Sequence, residues 1–152
     1  MTRGSINAKI VAAKVEAIQR SLAGIDSLPL ASIEDFVADP RMVAAGESYL
    51  RRALEALLDL GRHLLAKGAG RAAIEYKAIP QLLAEEGILA PDLSQRLTRM
   101  AGYRNRLVHF YDDVTPPELF AVLTEHLGDV ERVLDALRRW VAQRRDAVEE
   151  EL

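Results

Sequence analysis

The chain has no cysteine, which excludes a disulfide framework, a thiolate metal site and a thiol nucleophile. A reducing cytoplasm is therefore the expected compartment. Long apolar runs are also missing. The first apolar stretch is broken by Lys9, Lys14 and Glu16, so neither a membrane span nor a signal-peptide core is expected. Aromatic residues are scarce, at 5% against 49% apolar content, so the interior must be aliphatic. A chain of 152 residues is long enough to bury such a core as one domain. Nor is there an excess of positive charge: the net charge of -3 argues against a general nucleic-acid binder coated in cations.

Ala, Leu, Arg and Glu dominate what is present, which favours helix throughout. Val11, Val15, Ile18, Leu22 and Ile25 recur every three or four residues, predicting a first helix from about Ser5 to Gly24. Ser32 with Asp35 can cap a short turn. Asp39-Pro40 then opens a long helix to about Lys67, whose leucines spread over more than one face and mark it as central. Gly68-Ala69-Gly70 reads as its C-terminal turn, since no strand precedes it as a phosphate-binding loop requires. A short third helix is expected over 76–86. Asp92 with Gln95 reads as a capping box for the fourth, and Thr115-Pro116-Pro117-Glu118 as another for a fifth. The last helix shows Leu119, Leu123, Leu127, Val130, Leu134, Leu137 and Val141 on one stripe and frays over 144–152. The expected fold is an all-α antiparallel up-and-down bundle of about five helices in a single domain over 1–152.

The fourth helix ends in the densest polar chemistry of the chain: Ala101-Gly102-Tyr103-Arg104-Asn105-Arg106-Leu107-Val108-His109-Phe110-Tyr111. Residues 92 to 111 carry Arg96, Arg99, Arg104 and Arg106 against Asp92 alone, a local cationic excess on an acidic body. A solvated helix face is the more common explanation of spaced arginines. On a straight helix Arg104 and Tyr111 fall within roughly 20° of each other, and His109 lies about 140° from Arg104. The three converge only if the helix loosens near His109 or a second chain completes the site.

Arg104, four residues, His109, one residue, Tyr111 resembles the hallmark of the HepT-like toxins of the HEPN superfamily. The likeness extends to Tyr49–His63 and Gln81–Leu89, which resemble that family's second and third helices. It implies the HEPN bundle and an RNase toxin of a type VII-like toxin–antitoxin pair. The implied partner is an MNT-type nucleotidyltransferase antitoxin that attaches AMP to Tyr111. An alternative within the superfamily is a non-catalytic, substrate-binding subunit of a two-component nucleotidyltransferase.

The residue types themselves suit metal-independent RNA cleavage. Attack of a ribose 2'-hydroxyl on its phosphate needs a proton carrier near neutral pH, which imidazole is, and a fixed cation for the phosphorane. His109 is the candidate acid/base and Arg104 the candidate phosphate clamp. Asn105 and Tyr111 are candidate supporting residues, and Arg99 and Arg106 candidate RNA contacts. A homodimer would supply a second imidazole. The bland reading is that Arg104 and His109 satisfy carbonyls at a helix end. His63, four residues after Asp59, fits a surface pair, and His126 fits a structural role. Three scattered histidines predict no metal site, and no cofactor is expected.

Overall fold

The computed structural model describes residues 5–109, 113–144 and 148–149. Within them are seven α-helices: α1 (Ala8–Asp26), α2 (Ile33–Val37), α3 (Pro40–Gly68), α4 (Ile79–Glu85), α5 (Pro91–His109), α6 (Pro116–Glu125) and α7 (Leu127–Ala142), with a 3-10 turn at Tyr76–Ala78. The all-α bundle matches the sequence reading, with two more helices than expected. The Ser32 turn is itself the short α2, and the final helix divides into α6 and α7.

Most boundaries follow the local chemistry read from the sequence. Asp39 accepts the Arg41 backbone N–H at 3.0 Å with Pro40 in the first turn. The Ser32 hydroxyl accepts from Asp35 at 3.1 Å, and the Thr115 hydroxyl accepts from Glu118 at 3.3 Å. These side chains satisfy backbone donors that a helix start leaves open. At the other end of α3, Gly70 takes a φ of 68°, a turn open to glycine, and lets the Arg71 N–H return to the Leu65 carbonyl at 2.8 Å.

Four boundaries differ. Helix α1 starts at Ala8, because Ile6 and Asn7 pair in parallel with Val148 and Glu149 and the Asn7 side chain then caps the helix. That two-residue pairing was not expected, and it ties down part of the tail that the sequence reading leaves frayed. Helix α1 also continues past Gly24, which serves packing instead of termination: a Cβ there would lie 2.5 Å from the Tyr49 ring. Helix α5 begins at Pro91, so Asp92 sits inside its first turn, facing the positive end of the helix dipole in place of capping it. The last stripe breaks at His126 (φ -118°, ψ 0°), where Asp129 donates its N–H to the His126 carbonyl at 3.1 Å. The Asp129 carboxylate pairs with Arg96 of α5, which turns α7 onto that helix.

Helix α3 is the axis of the bundle. Leu50, Leu57, Leu58, Leu60, Leu64 and Leu65 are all essentially inaccessible, and each such leucine contributes about 1.5–3 kcal/mol relative to an exposed one. Gly61 lets α4 close on α3, since a Cβ would lie 3.0 Å from the side chains of Ile79 and Leu83. The buried Ser94 hydroxyl donates to the Pro80 carbonyl at 2.7 Å and joins α5 to α4. Gly68 makes similar room for Trp140. The turn before α4 and the C-terminal half of α5 are thereby held against one face of α3. Among the described residues no helix is long and apolar enough to cross a membrane.

Candidate active site

Helix α5 stays helical through His109, so it does not loosen before that residue. Arg104, Asn105 and His109 nevertheless border one cleft of about 810 Å³. Arg104 reaches this cleft through contacts with the turn before α4 and with α3. Arg104 leaves its own helix face, lies over the Tyr76 ring at 4.6 Å from the centroid and donates from Nη1 to Asn105 Oδ1 at 3.1 Å. Its Nη2 stands 3.7 Å from the Glu55 carboxylate. Gly102 leaves the wall open, with nothing within 4 Å of where its Cβ would be. A planar guanidinium held by a ring, an amide and a carboxylate has already lost most of its rotamer freedom, so binding an anion costs it little further entropy.

Tyr76 organises this wall. A second guanidinium, Arg62 of α3, lies 4.8 Å from the same ring, and the Tyr76 hydroxyl donates to Asp59 Oδ1 at 2.7 Å. Asp59 in turn stands 3.6 Å from both Lys14 and Arg62. Two cations on one ring repel, and the carboxylates of Asp59 and Glu55 behind them offset that repulsion. Burial, followed by the hydrogen bond to Asp59 and the charges of Asp59 and Glu55, pushes the Tyr76 hydroxyl up to about 12. It stays protonated and acts as a donor.

Arg106 also borders the cleft, but its guanidinium is largely committed. It pairs with Glu118 at 2.9 Å and donates to the Asp113 carbonyl at 3.1 Å, with Tyr103 5.6 Å away. It thus latches the end of α5 to the start of α6, across the segment that contains Tyr111. Tyr111 itself lies outside the described residues. Arg99 is exposed on a different face of α5, where it borders a smaller apolar pocket with Arg96, Met100 and His126, and it does not join Arg104. Among the described residues no three His, Asp or Glu side chains converge to hold a metal ion.

His63 does not pair with Asp59. Its Nε2 accepts the Asn7 backbone N–H at 3.0 Å, which fixes the proton on Nδ1, while Asp59 is taken by Tyr76. Burial, and then the charge of Lys67, lowers its pKa below the ordinary 6.5. The unfolded chain therefore binds a proton there more readily than the folded one. The contribution of His63 is complete above about pH 6.5 and declines as pH falls through that value toward the lowered folded one. Urea unfolding between pH 7 and pH 5 should show this decline, and His63→Gln should flatten it.

A sequence model of the family described as ribonuclease HepT-like matches residues 18–137. The chain belongs to the HepT-like ribonuclease family. This HepT-like chain is similar to the tRNA nuclease HepT of Aphanizomenon flos-aquae (strain 2012/KM1/D3), 28% identical over 121 residues that cover 79% of this chain and 82% of the relative. It is also similar to the mRNA nuclease HepT of Shewanella oneidensis, 29% identical over 96 residues, 59% of this chain and 67% of the relative. Among solved structures it resembles a tri-AMPylated Shewanella oneidensis HEPN toxin in complex with an MNT antitoxin. There the TM-score is 0.77 at 25% identity, covering 86% of this chain and 97% of that one.

Within the HepT-like motif the sequence located the residues on α5 but missed their support. Tyr76 stands out only as the start of a short helix, Glu55 only as a polar position on a mostly buried helix, and Asp59 only as a partner for His63. Their one available signal is spacing: Arg51, Glu55, Asp59 and Arg62 follow an i, i+4, i+8, i+11 pattern along one side of α3.

Proposed function

We propose that this chain is a metal-independent endoribonuclease toxin that works as a homodimer and is neutralised by an MNT-type nucleotidyltransferase. The observation that carries the reading is the meeting of Arg104, Asn105 and His109 on one open cleft, with Arg104 held over Tyr76. The imidazole of His109 takes the proton of a ribose 2'-hydroxyl as the 2'-oxygen bonds to phosphorus. Arg104 stabilises the charge that builds on the non-bridging oxygens. The 5'-oxygen leaves with a proton from a protonated imidazole, giving a 2',3'-cyclic phosphate and a 5'-hydroxyl.

One His109 per chain serves only one side of this transfer at a time, and a two-fold dimer brings a second imidazole to the cleft. The relatives named as nucleases, and the similar toxin held by an MNT antitoxin, support the same reading. The cytoplasm, where RNA and such a partner coexist, is the proposed location. Sedimentation at micromolar concentration tests the dimer: twice the chain mass is expected, and a clean monomer that still cleaves RNA rules out a shared site.

A further inference from the structure

The motif's cleft is also bordered by cations that the cleavage chemistry does not use. Arg62 comes from α3 and Lys77 from the turn before α4. Ile74 borders the same cleft and is 91% exposed, while the other exposed large hydrophobics among the described residues, Ile10 and Val37, stand near 40%. Arg62 Nη2 donates to the Ile74 carbonyl at 3.2 Å, so cation and isoleucine are fixed to each other. The guanidiniums of Arg62 and Arg104 share the Tyr76 ring and are therefore no further apart than their two distances to its centroid combined. Successive phosphates of one strand can bridge that span.

We propose that Arg62, Lys77 and Ile74 form a subsite for the nucleotide next to the scissile phosphate. The neighbouring phosphate rests on Lys77, with Arg62, anchored by Asp59 and the Ile74 carbonyl, adding its charge, and the adjoining base packs on the Ile74 side chain. The assignment rests on the ribonuclease reading and narrows its substrate to single-stranded RNA longer than a dinucleotide, because a base packs on a side chain only when it is free of a duplex. Nucleic acid fits better than protein. A protein interface surrounds its apolar anchors with further apolar residues and depletes lysine, whereas this isoleucine is flanked by Arg62, Glu75 and Lys77.

The test is binding of a fluorescent 12-nucleotide RNA with 2'-O-methyl riboses, which cannot be cleaved by 2'-oxygen attack, across a range of salt. Lys77→Ala should weaken binding about three- to tenfold and reduce the salt slope by about 0.7. Ile74→Ala should weaken it about threefold or more with the slope unchanged, since it removes apolar contact and no charge. If the parent chain binds the RNA and both variants match it in affinity and slope, the subsite is wrong and the ribonuclease reading stands. A parent chain that neither binds nor cleaves RNA overturns both. If Ile74→Ala instead lowers the sedimenting mass and leaves RNA affinity intact, Ile74 belongs to a protein interface and the assignment fails.

Discussion

His109→Ala is expected to lower RNA cleavage by about 10²–10⁴-fold, the usual contribution of a positioned acid or base, with the helical circular dichroism unchanged. His109 is the exposed last residue of α5, so truncating it opens no cavity. Arg104→Ala should cost about 10²–10³-fold, as loss of one preorganised donor to a developing oxyanion does. Its structural cost differs, since the side chain is only 18% exposed and stacks on Tyr76. Removing that cation–π contact accounts for about 0.5–2 kcal/mol, which lowers the melting temperature without unfolding the bundle. Arg104→Lys should rescue little, because an ammonium provides neither the flat face for Tyr76 nor a two-pronged grip on phosphate. Unfolding of both alanine variants would instead mean that the two residues merely hold the end of α5.

The second large effect concerns neutralisation. Incubation with the MNT partner and ATP is expected to place AMP on Tyr111 and abolish cleavage. The tyrosyl oxygen attacks the α-phosphorus of ATP, pyrophosphate leaves, and the phenolic proton passes to a base on the partner. Each diester adds a negative charge and a nucleotide two residues beyond His109, where it competes with RNA for Arg104. The chain has four tyrosines, three of them among the described residues. Tyr49 packs on Gly24, the Tyr76 hydroxyl is bonded to Asp59, and the Tyr103 hydroxyl is buried, its pKa raised first by that burial and then by Glu118. Mass spectrometry should find an AMP-sized adduct on the native chain and none on Tyr111→Phe. An adduct on Tyr76 or Tyr103, or none, overturns the switch.

The parts of this fold that were legible in the sequence are those written in neighbouring residues. Asp39-Pro40 and Thr115-Pro116 start helices by satisfying their own first turns, and the leucines of α3 spread over more than one face because several helices pack on it. The break at His126 was hidden because the apolar stripe runs through it unbroken. What divides it is a tertiary ion pair between Asp129 and Arg96, 33 residues apart. The pairing of Ile6–Asn7 with Val148–Glu149 joins opposite ends of the chain, which no local pattern encodes.

The candidate site divides in the same way. Arg104, Asn105 and His109 stand out because they crowd one helix end; Asn105 and His109, four apart, share a face of α5, whereas the position of Arg104 depends on Tyr76 and Glu55 from other elements. Arg106 reads from the sequence as a candidate phosphate contact, and the groups that engage it, Glu118 and the Asp113 carbonyl, lie beyond its own helix. Tyr76 and Glu55 carry no motif at all. They matter through stacking and charge across helices, over separations that sequence spacing cannot show.

The most direct measurement of the central claim is cleavage of RNA by the purified chain in excess EDTA, with identification of the product ends. Undiminished cleavage yielding 2',3'-cyclic phosphate and 5'-hydroxyl termini is expected, lost in His109→Ala and in Arg104→Ala. Cleavage that stops in the chelator, or that leaves 5'-phosphate and 3'-hydroxyl ends, would contradict it.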